Sequence, residues 1–325
     1  AYNDEDGIVD LFDGMADLEK KVIRCVGNAE ARFGEDALRI MRAVRFSAQL
    51  GFEIEEQTQA AIRKLAFSLK NISAERIQVE LIKLLTSPHP EQIRLAYELG
   101  ITEVMLPEFD RMMETAQETP HHCHNVGEHT IAALQHCPSD KILRLTMLFH
   151  DMGKPEKKTM DENGIAHFKG HAVVSEAIAK EIMHRLKFDN DTLRKVTKLV
   201  YYHDLRMPAT PRNVRRAMNR IGTELFPYYL NVRRADTLAQ SMFRREEKLE
   251  NIQEIENIYL QIMELQQCVS LKDLAVKGGD LLAVGVERGP QIGETLNKLL
   301  ELVLEEPEKN QKELLLAKVT KWLKE

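Results

Sequence analysis

Apolar residues recur at helical spacing along nearly the whole chain, which leaves little room for a sheet-built fold. In "EDALRIMRAVRFSAQLGF" (residues 35–52), Leu38, Met41, Val44 and Ala48 fall on one face of a helix. Arg39 and Arg42 fall on the other, and Gly51 marks its end. "EQTQAAIRKLAFSL", "SAERIQVELIKLL" (opening on Ser73), "PEQIRLAYELG", "DKILRLTMLFHD", "HAVVSEAIAKEIMHRLKF" and "DTLRKVTKLVYYH" read the same way, as does most of residues 231–267. Strand-like text is confined to "GIVDLF" and "KKVIRCVG" near the start. The expected fold is mainly α, with a small β remnant at the N-terminus.

At 325 residues the chain is too long for one typical core, so two or three domains are expected. Its net charge of −6 gives no global signal for nucleic acid. Cys25, Cys123, Cys137 and Cys268 are scattered without a CxxC pair, against a zinc ribbon and a disulfide framework. A reducing, cytoplasmic setting with no membrane association fits this usage, since no apolar run approaches a membrane span. Three breaks punctuate the helices. Residues 106–125 read as a polar loop, residues 205–216 as a break with two prolines, and residues 276–294 as a Gly-rich turn. The chain opens on Ala1 inside ordinary folded text, which points to a longer parent sequence.

Histidine and aspartate supply the first chemical constellation. His129 lies in "GEHTIAAL", His150 and Asp151 end "KILRLTMLFHD", His171 opens "HAVVSEAIA", His203 ends "KLVYYHD", and Asp236 lies in "RRADTLAQ". Helices from different parts of a bundle can aim such side chains at one point. Imidazole nitrogens with carboxylate oxygens suit a divalent first-row metal. An adjacent His and Asp can share one metal or bridge two, and a metal so held lowers the pKa of bound water. Lys154, three residues beyond, can neutralise a phosphate. The bland alternative places each of these histidines singly at a helix end or surface. His89, His121, His122, His124, His136, His167 and His184 are read that way.

The order His, His-Asp, His, His, Asp resembles the HD superfamily of metal-dependent phosphohydrolases over roughly residues 125–240. The resemblance implies His129, His150, Asp151 and Asp236 as the core metal set, with His171 and His203 completing a two-metal site. It implies a divalent cation there (Mn, Ni, Co, Fe or Mg), with 2′,3′-cyclic phosphates or nucleotide monophosphates as substrates.

The second constellation is "GEDALRIMRAVRF". Asp36 and Arg39 are one turn apart on the expected helix and can pair locally, with Arg42 one turn further. An arginine fork and a carboxylate can together read the edge of a planar base. The same residues can equally form a solvated charged face.

The whole chain is similar to the bacterial tRNA nucleotidyltransferases, the CCA-adding enzymes, and to the related poly(A) polymerases. "GMADLEKKVIRCVG" looks like their flexible head-to-neck motif, "EDALRIMRAVRF" like the nucleotide-selecting motif and "ISAERIQVELIKLL" like the following neck helix. "RRADTLAQ", "SLKDLAVKGGDLL" and "GPQIGETLNKLLELVLEEPEKNQKELLLAKV" look like the C-terminal parts of members that carry an HD domain. This implies a palm remnant at 1–30, a helical neck at 31–112, an HD-type helical bundle at 113–245 and a helical C-terminal region at 246–325. It implies that Asp36 and Arg39 select the base of an incoming CTP or ATP, and that Arg42 and Arg45 contact the triphosphate or support the selecting pair. The partner is then the 3′ end of a tRNA or other RNA.

In this family the phosphate loop and the two carboxylates that hold Mg²⁺ for nucleotidyl transfer lie upstream of the first motif seen here. The carboxylates of "DEDG" and "DLFDG" read as turn and palm-edge residues. The resemblance therefore implies no polymerising activity for the chain as given, and such activity for its parent. "PRNVRRAMNR" and "NVRRADTLAQSMFRREEK" are Arg-rich and can line an RNA path, or be helix faces with compensating acids. Leu299, Leu300, Val303 and Leu304 read as core, with self-association as the alternative. Two competing readings remain beside the nucleotidyltransferase: a stand-alone HD phosphohydrolase and a non-catalytic RNA-binding scaffold.

Overall fold

Helices account for nearly all regular structure in the computed structural model, which describes residues 2–3 and 7–324. In chain order they are α1 (Gly14–Lys20), α2 (Ala29–Glu35), α3 (Leu38–Leu50), α4 (Glu56–Leu65), α5 (Ala74–Leu85), α6 (Ile93–Glu98) and α7 (Ile101–Met105). There follow α8 (Pro107–Met113), α9 (Val126–His136), α10 (Lys141–Phe149), α11 (Lys154–Lys157), α12 (His171–Arg185) and α13 (Asn190–Tyr202). The last are α14 (Pro211–Ile221), α15 (Phe226–Ala239), α16 (Arg245–Glu264), α17 (Gly278–Ala283), α18 (Pro290–Glu305) and α19 (Lys312–Trp322). Two-residue strands form three small sheets: β1 (Tyr2–Asn3) with β2 (Gly7–Ile8), β3 (Val22–Ile23) with β4 (Glu53–Ile54), and β5 (Thr159–Met160) with β6 (Ala166–His167). No helix among the described residues is long and apolar enough to cross a membrane.

The chain divides into two compact units. One comprises Ala1–Asp204 with Asn231–Arg245, the other Leu205–Leu230 with Glu246–Glu325. In the first, α3 packs on α5 and α2 on α4. The inner face of α3 is Leu38, Met41, Val44 and Ala48, all 5% exposed or less, as the spacing predicts. Gly51 ends that helix at φ 67°, its N–H returning to the Ser47 carbonyl at 2.8 Å. In the same unit α10 lies against α9, α12 and α13. Its residues from Leu143 to Phe149 are all buried, so it is covered on every side. Asp140 caps its start, accepting from the N–H groups of Ile142 and Leu143.

In the second unit, Leu299, Leu300, Val303 and Leu304 of α18 are buried with Leu281, Leu315 and Val319. These leucines are core. The fully buried face of α18 has no surface left for self-association.

Several sequence expectations need correction. The first half of the supposed loop 106–125 is α8, because Phe109 and Met112 bury completely. The break at 205–216 ends at residue 210, since Pro211 opens α14 at a position where a missing N–H costs nothing. The Gly-rich stretch 276–294 contains α17. β structure is not confined to the N-terminus: β3 pairs in parallel with β4, and β5–β6 forms a hairpin in the middle of the chain. Ser73 holds the N-cap position of α5 without a side-chain cap bond. The carboxylates of residues 4–6 lie outside the described residues.

Candidate functional site

The six His and Asp residues singled out by the sequence converge in the first unit. His129 projects from α9, His150 and His203 cap the C-termini of α10 and α13, His171 opens α12, and Asp236 sits within α15. Asp151 follows His150 and lies at the centre. Its Oδ2 is 3.2 Å from His150 Nε2 and 3.6 Å from His129 Nε2. Its Oδ1 is 3.3 Å from His171 Nε2 and 3.6 Å from His203 Nε2. Asp236 Oδ1 is 2.9 Å from His129 Nε2 and 3.8 Å from His150 Nε2. Two triads result, His129–His150–Asp151 and Asp151–His171–His203, each with its ligand atoms within 4.8 Å of one another.

Backbone carbonyls orient the rings. Nδ1 of His150 faces Met147 O at 2.6 Å, that of His203 faces Val200 O at 2.6 Å, and that of His171 faces Phe168 O at 2.9 Å. His129 Nδ1 is 3.4 Å from Ala239 O. A carbonyl only accepts, so Nδ1 carries the proton and every Nε2 turns a lone pair inward. The cage thus gathers four imidazole acceptors and two carboxylates. His150 Nε2 and Asp151 Oδ2 are buried and have no hydrogen-bond partner among the described residues. Acceptors in this number demand positive charge between them, and the donor set fits one or two divalent cations of the first transition row.

The electrostatics agree. Burial works to raise the Asp151 carboxyl, but His150 and Lys154 hold it well below the usual carboxylate range. Burial opposes ionisation of Asp236 too, and His129, 2.9 Å away, holds it low.

Lys154 does not stand free to meet a phosphate. Its ammonium is buried, 2.7 Å from Asp151 Oδ2 and 2.7 Å from Gln117 Oε1. Gln117 is one of several supports the sequence did not reveal. Gln240 donates to Asp236 Oδ2 at 3.1 Å. The Gly153 N–H donates to Ser175 Oγ at 2.9 Å, and a Cβ on Gly153 would lie 2.5 Å from His171 O. Glycine is therefore what allows the start of α12, and His171 with it, to approach Asp151.

His122 requires correction from a surface residue. It is partly buried and meets His129 edge to face at 4.8 Å between ring centroids. Burial, with Lys154 and His129 adding to it, pushes its pKa down to about 2. Nothing in the run "HHCH" distinguishes it, because a loop has no periodicity to read.

The N-terminal constellation is assembled differently from the expected single helix. Asp36 is in extended conformation between α2 and α3, so it and Arg39 are not one turn apart on one helix. Asp36 accepts from Leu38 N at 3.1 Å and from Arg76 of α5 at 2.8 Å. These bonds hold its carboxyl below the usual range, the bond from Arg76 foremost. Arg39 pairs instead with Glu35 at 2.7 Å and donates to Arg32 O. Arg42 is exposed beside the Phe46 ring, 5.7 Å from its centroid. Arg45 is not brought to the surface with the other three. It is 7% exposed, its Nε 2.5 Å from Glu80, itself 4% exposed.

Three arginines of α14 are compensated by α18. Arg212 pairs with Glu305, and Arg216 with Glu301 and Glu305. Arg215 is buried and donates to Leu304 O and Glu305 O at the end of α18, satisfying carbonyls the helix leaves open.

Residues 51–113 match a family described as the probable RNA and SrmB-binding site of polymerase A. Residues 157–319 match one described as tRNA nucleotidyltransferase domain 2, putative. The chain is 31% identical over 313 residues to the A-adding tRNA nucleotidyltransferase of Deinococcus radiodurans, covering 90% of this chain and 70% of the relative. It is 31% identical over 325 residues to the CCA-adding enzyme of Levilactobacillus brevis, covering 97% of this chain and 68% of the relative. Its fold resembles that of the Bacillus stearothermophilus CCA-adding enzyme solved in complex with CTP. That match has a TM-score of 0.67 and 22% identity, and covers 99% of this chain and 71% of the other.

Proposed function

Because the chain belongs to the bacterial tRNA nucleotidyltransferase family, the CCA-adding enzymes and their relatives, we propose that it supplies the nucleotide-selecting and RNA-holding parts of such an enzyme. The whole enzyme then extends the 3′ end of tRNA from CTP or ATP. The observation that carries this reading is the corner between α2 and α3. Asp36 is pinned by Leu38 N and Arg76, and Arg39 by Glu35 and Arg32 O, so an acceptor and a donor fork are held in place before any nucleotide arrives. Groups of that kind can read the Watson–Crick edge of a base. Arg42, exposed one turn on, is assigned to the triphosphate. Arg45, buried on Glu80, supports α3. The test is nucleotide choice in the intact protein: Asp36→Ala should admit GTP and UTP alongside CTP and ATP. Unchanged selectivity would remove Asp36 from the role.

A second reading is favoured by the inward-facing acceptors of the His/Asp cage: a metal-dependent phosphohydrolase of the HD type built into the same chain. Six residues would hold the cations, His129, His150, Asp151 and Asp236 on one side and His171 and His203 on the other, with Asp151 common to both triads. Four imidazoles favour Mn²⁺, Fe²⁺, Co²⁺ or Ni²⁺ over Mg²⁺. When bound, such a cation supplies Lewis acidity toward water and a phosphoryl group. The carbonyl braces fix each ring, and Lys154 with Gln117 orients Asp151. The substrates that suit this chemistry are 2′,3′-cyclic phosphates and nucleotide monophosphates. Metal analysis of the purified chain, with hydrolysis of a cyclic phosphate before and after His150→Ala, decides the matter. Neither bound metal nor turnover with Mn²⁺, Ni²⁺, Co²⁺ or Mg²⁺ would reduce the cage to a scaffold.

A further inference from the structure

We propose that His122 is a substrate-binding residue of the His/Asp centre, its imidazole N–H donating to a phosphoryl oxygen of a phosphate monoester or cyclic phosphate. The inference rests on the phosphohydrolase reading of that centre. His122 lies in the loop before α9, its ring perpendicular to that of His129 at 88°. His129, against which it lies, is itself 3.6 Å from Asp151 Oδ2 and 2.9 Å from Asp236 Oδ1. His122 Nδ1 is buried and has no hydrogen-bond partner among the described residues. A buried nitrogen without a partner costs as much as a lost hydrogen bond, so its persistence points to a partner from outside the chain.

What that partner is follows from the rest of the cluster. His129, His150, His171 and His203 each direct Nδ1 at a backbone carbonyl and offer only a lone pair inward. Lys154 donates to Gln117 and is ion-paired with Asp151. The cluster is thus rich in acceptors, which a cation satisfies, and poor in donors, which an anionic phosphoryl group needs. His122 is the exception. Neither metal triad includes it, and no carbonyl takes its Nδ1, so its ring is free to present an N–H. A phosphoryl group drawn to cations at Asp151 would find its neutral donor there.

The test uses the purified, Mn²⁺-loaded chain and inorganic phosphate as probe, with metal content measured in parallel. His122→Ala should weaken phosphate binding about tenfold or more by calorimetry, the scale of a hydrogen bond to a charged group, with metal content unchanged. His122→Asn, which keeps an amide N–H near the Nδ1 position, should recover part of the loss. Undiminished phosphate affinity in fully loaded His122→Ala would overturn the inference and leave the hydrolase reading intact. Loss of metal in either variant would overturn it in favour of a role in holding the cage. A wild-type chain that takes up no Mn²⁺ would overturn both.

Discussion

His171 and His203 meet Nε2 to Nε2 at 3.0 Å, each with its Nδ1 committed to a backbone carbonyl. Two imidazole lone pairs at that distance repel unless a proton or a cation lies between them. The helices that carry them, α12 and α13, pack directly on one another, so the pair cannot separate without disturbing the core. Packing energy holds together a set of acceptors that would otherwise drift apart, which is how a fold pre-organises a cation site.

Metal binding should therefore appear as stability. Excess Mn²⁺ should raise the melting temperature, with a gain of about 2.7 kcal/mol at a hundredfold excess over Kd. Asp151→Asn, altering the residue common to both triads, should abolish the Mn²⁺-dependent increment whatever it does to the apo protein. Differential scanning fluorimetry across a metal titration reads this directly. An increment of the same size in Asp151→Asn would place the metal elsewhere.

Gly153→Ala should destabilise the first unit by about 1–3 kcal/mol, the usual penalty for forcing atoms into a packed site. The new Cβ would lie 2.5 Å from His171 O and 2.6 Å from Ser175 N, both backbone atoms that cannot rotate away. Urea unfolding checks the loss. Because the same shift moves His171, Mn²⁺ affinity should fall with it.

The ion pair of Arg45 and Glu80 and that of Lys64 and Glu30 should respond very differently to truncation. Glu80→Ala strands a buried guanidinium and should cost about 3–5 kcal/mol. Lys64 and Glu30 are both more than half exposed, so Glu30→Ala should cost about 1 kcal/mol or less. Equal losses in urea titrations of the two variants would contradict the burial of Arg45.

Asp189 should make α13 acid-sensitive. The Thr192 N–H and hydroxyl, and Lys141 beyond them, lower its pKa from 3.8 to about 2. A depressed folded-state pKa gives stability that is complete above the unfolded value and lost as pH falls through the folded one. The loss should thus run from about pH 4 down to about pH 2. Asn can cap a helix without titrating, so Asp189→Asn should flatten this part of the profile. Melting temperatures between pH 2 and 5 for the two proteins make the comparison.

Local spacing was enough to place α3, α10, α12 and α13, because apolar periodicity is written within one or two turns. It placed His129, His150, Asp151, His171, His203 and Asp236 on or beside helices, and the resemblance of their order to the HD superfamily grouped them. Spacing misjudged α8, whose two buried residues Phe109 and Met112 sit in polar text that by itself looks like a loop.

What the sequence alone determined, then, is the helical architecture, the inner face of α3 and the residue types available for a cation and for a base edge. Tertiary structure decided which of them meet. It paired Asp36 with Arg76, forty residues away, and left Arg39 to Glu35. It buried Arg45 on Glu80, confined Lys154 to Asp151 and Gln117, and laid His122 against His129. The physical reason is range. Helix formation and amphipathicity depend on neighbours three and four positions apart, whereas the partner of a charged or titratable side chain depends on which distant segments share a core.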